Sequence, residues 1–148
     1  AIALTKAVLP GMIAQKSGHI VAVSSIAGKF GFPLRSAYSA AKHAIYGFFE
    51  TLRFEMASHN VNVTIACPGR VQTNISLHAL TATGEAHGKM DDGQNTGISA
   101  EECARQLIKA VENRKREILI GKKELWMVHI KKWLPFLFYR IVNKIKHT

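Results

Sequence analysis

"HIVAVSSIAGKFGFPLRSAYSAAKHA", residues 19–44, is the stretch on which the fold turns. Its opening "HIVAV" is a short β-branched run of the kind expected for a strand covered on both faces, and it ends in two serines, Ser24 and Ser25. A Gly/Pro loop follows. Then "SAYSAAKHAIYGFFETLRFEMASHN" reads as one long helix, with Ala40, Ala44, Phe48 and Leu52 in an apolar row and Glu50, Arg53 and Glu55 off it. Near its start this helix carries Tyr38 and Lys42, four residues apart. A plain strand–helix connection does not need that combination.

The same alternation continues on both sides. Upstream, "AIALTKAVLPGMIAQ" has helical spacing through Ile2, Leu4, Val8 and Met12, and Ser17 and Gly18 mark its end. The chain is therefore expected to begin inside a helix, as a piece of a longer protein. Downstream, "VNVTIACPG" is a second buried-type strand closed by Pro-Gly. The polar, Gly-rich residues 70–97 predict a long mobile excursion. "SAEECARQLIKAVENRK" is a helix opened by a capping box of Ser99 and Glu102, and "EILIG" is a third short strand. Helix and strand in turn predict an α/β fold, with crossover helices on a parallel sheet of about three strands.

Composition sets the outer bounds. With 148 residues, 47% hydrophobic and 20% charged, the chain fits one globular domain or part of one. Its two cysteines, Cys67 and Cys103, lie far apart without metal-ligand spacing and are expected to be reduced thiols of a protein facing a reducing compartment, cytoplasmic or at a membrane. The seven histidines form no HExxH and no Cys/His set, so no metal is expected. The formal charge of +10 is concentrated at the end, where residues 121–148 hold seven Lys/Arg against one Glu. That distribution argues against a nucleic-acid groove through the body of the fold.

In α/β sheets ligands bind at the carboxyl ends of the strands. Ser25 sits at such an end, and Tyr38 and Lys42 share one helix face. The trio suits proton transfer coupled to oxidation of an alcohol or reduction of a carbonyl. A free phenol loses its proton at about pH 10, and moving that to about 7 takes roughly 4 kcal/mol. One ammonium about 4 Å away, at an effective dielectric of about 20, supplies a quantity of that order. A Tyr and a Lys one helical turn apart are commonplace on amphipathic helices; their joint placement with the strand-end serine carries the case.

"VSSIAG" followed by "YSAAK" resembles the short-chain dehydrogenase/reductase family, in which a Ser precedes a Tyr-x-x-x-Lys by about a dozen residues. The spacing selects Ser25 over Ser24. "CPGRVQT" is similar to the family's Pro-Gly and following Thr, and "LTKAVLPGMI" and "GHIVAVSS" also look like it. The resemblance implies a Rossmann-type doubly wound sheet, here its C-terminal half, and an oxidoreductase using NAD or NADP, with NADP the first choice. It implies that Tyr38 is the acid/base and, with Lys42, contacts the cofactor, that Lys42 binds the nicotinamide ribose and makes the phenol more acidic, and that Ser25 orients the substrate. Pro68, Gly69, Val71 and Thr73 would hold the carboxamide end of the cofactor.

The family's Gly-rich phosphate loop and its Asn-Ala-Gly segment are not in this sequence, and by position its catalytic Asn would fall just before Ala1. These 148 residues alone are therefore expected neither to bind a dinucleotide well nor to turn over. Residues 1–121 form the oxidoreductase part, with a substrate lid at about 74–97, where Gly84, Gly88, Gly93 and Gly97 would permit closing and Asp91 and Asp92 form a solvated tip. By analogy, the helix carrying Tyr38 would form much of a subunit interface in a homo-oligomer. Residues 122–148 form a basic, aromatic tail with an apolar stripe at 126, 130, 133, 134, 137, 141 and 145, interrupted by Pro135. Its longest uncharged run is far short of the ~20 residues that span a bilayer. The tail either lies on a membrane surface or packs on the fold or a partner subunit. The cluster of Trp126, Trp133, Phe136, Phe138 and Tyr139 favours the membrane, and the likeness is greatest to hydroxysteroid-dehydrogenase-like, membrane-associated reductases. The expected substrate is lipophilic. A non-catalytic scaffold for oligomerisation or membrane recruitment is the alternative.

Overall fold

The computed structural model describes residues 1–76, 84, 88 and 95–144. Three parallel strands form one sheet in the order β1 (Gly18–Val23), β2 (Val61–Pro68), β3 (Glu117–Ile120). Gly18 pairs with Val61 and Val23 with Ala66 on one side of β2, and Ile65 pairs with Glu117 and Pro68 with Ile120 on the other. The middle strand carries the hydrophobic load: Thr64, Ile65, Ala66 and Cys67 are completely buried, as expected when both faces are covered.

Two helices cover one face, α1 (Ile2–Ala14) and α2 (Ser36–Glu55). Phe49 and Leu52 of α2 and Leu9, Met12 and Ile13 of α1 pack on Ala22, Val63, Ile65 and Cys67. The apolar row expected on α2 is only partly its buried side. Ala40 and Ala44 are exposed, while Ser39, Phe49 and Leu52 are buried. A ring and a branched chain remove far more apolar area from water than two methyl groups, so the helix is turned to seat them. Helix α3 (Ala100–Glu112) covers the other face, with Cys103 and Leu107 against Ala66, Ile98 and Ile120. Its cap forms as expected on one side, Glu102 N donating to Ser99 Oγ at 3.1 Å. The Glu102 carboxylate, however, turns to Arg105 and Gln106.

The tail is two short helices, α4 (Trp126–Trp133) and α5 (Pro135–Val142), broken at Leu134 and Pro135. Its inner side is packed on the fold: Phe138 and Val142 are buried against Ile26 and Phe30, the turn that follows β1. Phe30 meets Phe138 edge-on with ring centres 5.1 Å apart. Trp126, Trp133, Leu134, Phe136 and Tyr139 all remain exposed. The tail is thus seated on the fold through one side and displays an aromatic face on the other. Residue 145 of its stripe lies outside the described residues, as do Asp91, Asp92, Gly93 and most of the expected lid. Among the described residues, no helix is long and apolar enough to cross a membrane.

Candidate active site

The two serines at the end of β1 do different work. Ser24 N still pairs with the sheet, donating to Ala66 O at 2.8 Å, and its buried hydroxyl donates to the Lys42 carbonyl of α2 at 2.9 Å. Ser25 is extended (φ −169, ψ 165) and caps the short 3-10 turn Ile26–Gly28, its Oγ accepting from Ala27 N at 3.1 Å. The same hydroxyl donates to Pro68 O across a long 3.3 Å. A hydroxyl has one proton and two lone pairs, so Ser25 can redirect that weakly held proton to a substrate oxygen without losing its cap.

Lys42 returns to the same strand end. Its Nζ donates to Val23 O at 3.3 Å and lies 5.6 Å from the centre of the Tyr38 ring. With its carbonyl on Ser24 and its ammonium on Val23, Lys42 fastens the first turns of α2 to the last residues of β1. Tyr38 is 43% exposed while Ser25 is buried, so the ring stands at the surface and the serine hydroxyl beneath it in the fold. A separate polar cleft of about 300 Å³, lined by His19, Asn60, Asn62 and Arg114 among others, lies at the amino-terminal end of the strands, away from these groups.

The other aromatic hydroxyl of α2 has the opposite surroundings. Tyr46 OH donates to Glu117 at 2.5 Å and Lys29 Nζ bonds the same carboxylate at 2.8 Å. Burial and then the hydrogen bond to Glu117 raise the Tyr46 pKa far above the ordinary phenol range, so Tyr46 keeps its proton. Cys67, beneath Ser25, is pushed up to about 11 by burial and by Glu117, against the opposing pull of Lys29, the Ser25 amide and Lys42. Its buried thiol is no nucleophile at neutral pH.

The end of β2, at Pro68, and the loop after it bring Pro68, Gly69, Val71 and Thr73 to the same end of the sheet. Gly69 N donates to Ile120 O at 2.7 Å, extending the contact with β3. Val71 forms a parallel bridge with Ile98, through Ile98 N to Arg70 O at 3.0 Å and Gln72 N to Ile98 O at 2.9 Å. A parallel bridge uses its central residue's neighbours, so Val71's own N–H and C=O face away from Ile98. Thr73 is exposed. The bare side of Gly69, expected to receive a ligand, is filled by Glu124: a Cβ there would lie 2.5 Å from its Oε1.

Glu124, Ser24 and the Lys29–Glu117–Tyr46 group all escaped the sequence reading. Only Ser24 carried a signal, its place beside Ser25. Among the described residues, no group of three His, Cys, Asp or Glu is placed to hold a metal ion.

Three comparisons bear on these features. A "Dehydrogenase/reductase SDR family member 7B" of Mus musculus is 46% identical over 142 residues, covering 95% of this chain but 44% of the relative. A "Dehydrogenase/reductase SDR family protein 7-like" of Anopheles gambiae is 41% identical over 147 residues, covering 97% of this chain and 45% of the relative. The chain thus spans a little under half the length of these curated relatives. In fold it is similar to a short chain dehydrogenase of Burkholderia cenocepacia solved in complex with NADP (TM-score 0.76, 20% identity, 95% of this chain and 53% of that one). It is likewise similar to a short chain dehydrogenase/reductase of Burkholderia phymatum solved with NAD (TM-score 0.72, 22% identity, 90% and 53%). The three-stranded parallel sheet is therefore part of a Rossmann-type fold. Residues 1–83, which contain β1, α2, β2 and both serines, match the family profile of short chain dehydrogenases, and by that match over more than half its length the chain belongs to the short-chain dehydrogenase family.

Proposed function

We propose that the protein, at its full natural length, is an NAD(P)-dependent oxidoreductase interconverting a hydroxyl and a carbonyl, with Ser25, Tyr38 and Lys42 as its catalytic residues. The observation that carries this is the gathering of Ser25 and Lys42 on the last residues of β1, with the Tyr38 ring beside the Lys42 ammonium. The residues also fit the nicotinamide end of a dinucleotide. Lys42 offers a cation for a ribose diol, Val71 turns its peptide group away from its bridge partner, and Thr73 offers an exposed hydroxyl. Pro68 and Gly69 set the turn that presents them.

A nicotinamide bound at these residues would supply the hydride acceptor or donor. In the oxidising direction Tyr38 takes the hydroxyl proton as the carbon–hydrogen bond breaks; in the reducing direction it returns it. Lys42 places positive charge beside the ring as that proton leaves. Ser25 holds the same substrate oxygen through the proton it otherwise shares with Pro68.

The exposed apolar side chains of the tail and of Leu34, which stands four residues before Tyr38, suit a lipophilic substrate. The aromatic outer face of the tail with its Lys and Arg suits a membrane surface. Ile2, Leu4 and Val8 of α1 and Phe54 of α2, all exposed, suit a homo-oligomer.

Tyr38→Phe in the full-length protein is the test, because it removes only the hydroxyl of an exposed ring. The expected result is a fall in kcat on the order of 10³-fold, with dinucleotide affinity nearly unchanged. Turnover at the original rate would refute the role. A wild-type protein that oligomerises or binds membrane but neither binds a dinucleotide nor turns over would favour the scaffold reading.

A further inference from the structure

Glu124 lies in the short turn Lys123–Leu125 that leads from β3 into the tail, yet its side chain belongs to the loop after β2. Arg70 N donates to its Oε1 at 2.9 Å. Two glycines leave room for the carboxylate, Gly69 from that loop and Gly121 from the end of β3; a Cβ on either would run into it. Burial works against the charge. The backbone amides of Arg70, of Glu124 itself and of Lys122 outweigh it, with the Arg70 guanidinium adding to them, and hold the carboxyl below the usual range. Glu124 is therefore an anion at neutral pH.

The neighbouring Lys122 grips the other side of the loop. Its Nζ donates to Gly97 O at 2.8 Å and Thr96 O at 3.2 Å, and the next residue, Ile98, is the bridge partner of Val71. The amides around Val71 are thus spoken for in turn: Gly69 by Ile120, Arg70 by Glu124, Gln72 by Ile98. Among these, only the Arg70 bond is made by a side chain, and it adjoins the Val71 peptide.

We propose that Glu124 is a positioning residue for the nicotinamide end of the dinucleotide: by holding the Arg70 N–H it fixes the Gly69–Arg70 peptide, the stem on which the Ile98-bridged Val71 is carried, and so sets cofactor affinity. This rests on the oxidoreductase reading, since Val71 needs placing only if it meets a ligand. A carboxylate that merely tied the tail to the fold would add stability and leave affinity alone.

The experiment compares wild type with Glu124→Ala, Glu124→Gln and Glu124→Asp at full natural length. Backbone amide exchange over residues 68–73 is followed without dinucleotide, and NADH and NADPH titrations and steady-state kinetics are run alongside. Loss of a charge-assisted bond to a backbone amide is expected to weaken dinucleotide binding about ten-fold, with faster exchange confined to residues 68–73. The cofactor KM should rise and the substrate KM stay in place. Gln, which can still accept from Arg70, should sit nearer wild type than Asp, whose shorter arm withdraws the oxygen. Should the Ala variant not fold, Gln against Asp decides, and equal affinity in the two overturns the proposal. Faster exchange with unmoved affinity overturns it as well, leaving Glu124 a structural tie. A wild-type protein that bound neither dinucleotide would instead bring down the oxidoreductase reading.

Discussion

Leu34 has a backbone that its own side chain disfavours. Its φ of +57° lies in the left-handed region, where the Cβ crowds the following carbonyl at a cost of about 1 kcal/mol or more for a non-glycine. The side chain recovers little, being 83% exposed. Asn tolerates this conformation far better. Leu34→Asn is therefore expected to stabilise the fold by up to about 1 kcal/mol, a rise of a few degrees in Tm, read by thermal unfolding. A lower Tm would mean that the loop leading to Tyr38 needs the leucine for packing with a part of the protein outside the described residues. At this scale the candidate trio was legible because Ser25, Tyr38 and Lys42 lie within one strand–turn–helix unit, where chain spacing translates directly into spatial order. Glu124 was not. Its partner Arg70 is far off in sequence, and a single Glu in a basic tail reads as a solvated charge. Ser24 was set aside by the same motif that found Ser25, although its hydroxyl is what binds α2 to the strand end.

Among the elements, strands and helices came through at nearly their expected places because β-branched runs, caps and Gly or Pro stops are local signals. Helix faces came through less well. On α2 two apolar rows compete, and only the sheet decides between Ala40 and Phe49. In the tail Pro135 resets the helical phase, so a stripe counted straight through it puts Trp133 and Leu137 together and misses Phe138 and Val142, the residues that are buried. The joining of strands carries a pH signature of its own. Thr64 gives its proton to Lys115 O at 2.5 Å, so its oxygen accepts from His19 Nε2 at 2.8 Å, linking β1, β2 and the entry to β3. Burial first, and the Arg114 guanidinium second, lower the His19 pKa from 6.5. As pH falls through that value the unfolded chain takes up the proton before the folded one does. Stability is thus full above about 6.5 and declines through the acid range until the folded histidine is protonated too. His19→Gln keeps a donor for Thr64 and removes the titration. Its urea midpoint should fall less than that of wild type between neutral and mildly acid pH; parallel curves would exclude His19 as a source of acid sensitivity.

Over the whole molecule, the tail joins two surfaces. Its inner side braces both loops of the candidate site, Phe138 and Val142 on the turn capped by Ser25 and Glu124 on the loop holding Gly69. Deleting residues 122–148 would therefore disturb the site along with any membrane contact, and surface substitutions separate the two. Trp133 and Phe136 are 71% and 81% exposed, with Lys132 stacked 5.0 Å from the Trp133 ring centre, so both can be changed without opening the fold. If the outer face lies in a headgroup region, each ring contributes on the order of 1–2 kcal/mol of burial and the surrounding Lys and Arg add an attraction that salt screens. Wild type at full natural length should co-float with vesicles of phosphatidylcholine and phosphatidylserine, more weakly with phosphatidylcholine alone. Trp133→Ser with Phe136→Ser should cut bound protein roughly ten-fold or more while leaving dinucleotide affinity in place. Because another segment of the full-length protein could also hold it to vesicles, the double variant is the decisive arm: flotation identical to wild type would remove the tail face from any membrane role. The exposed rings would then belong to a subunit contact, and the same variant should shift the oligomeric state.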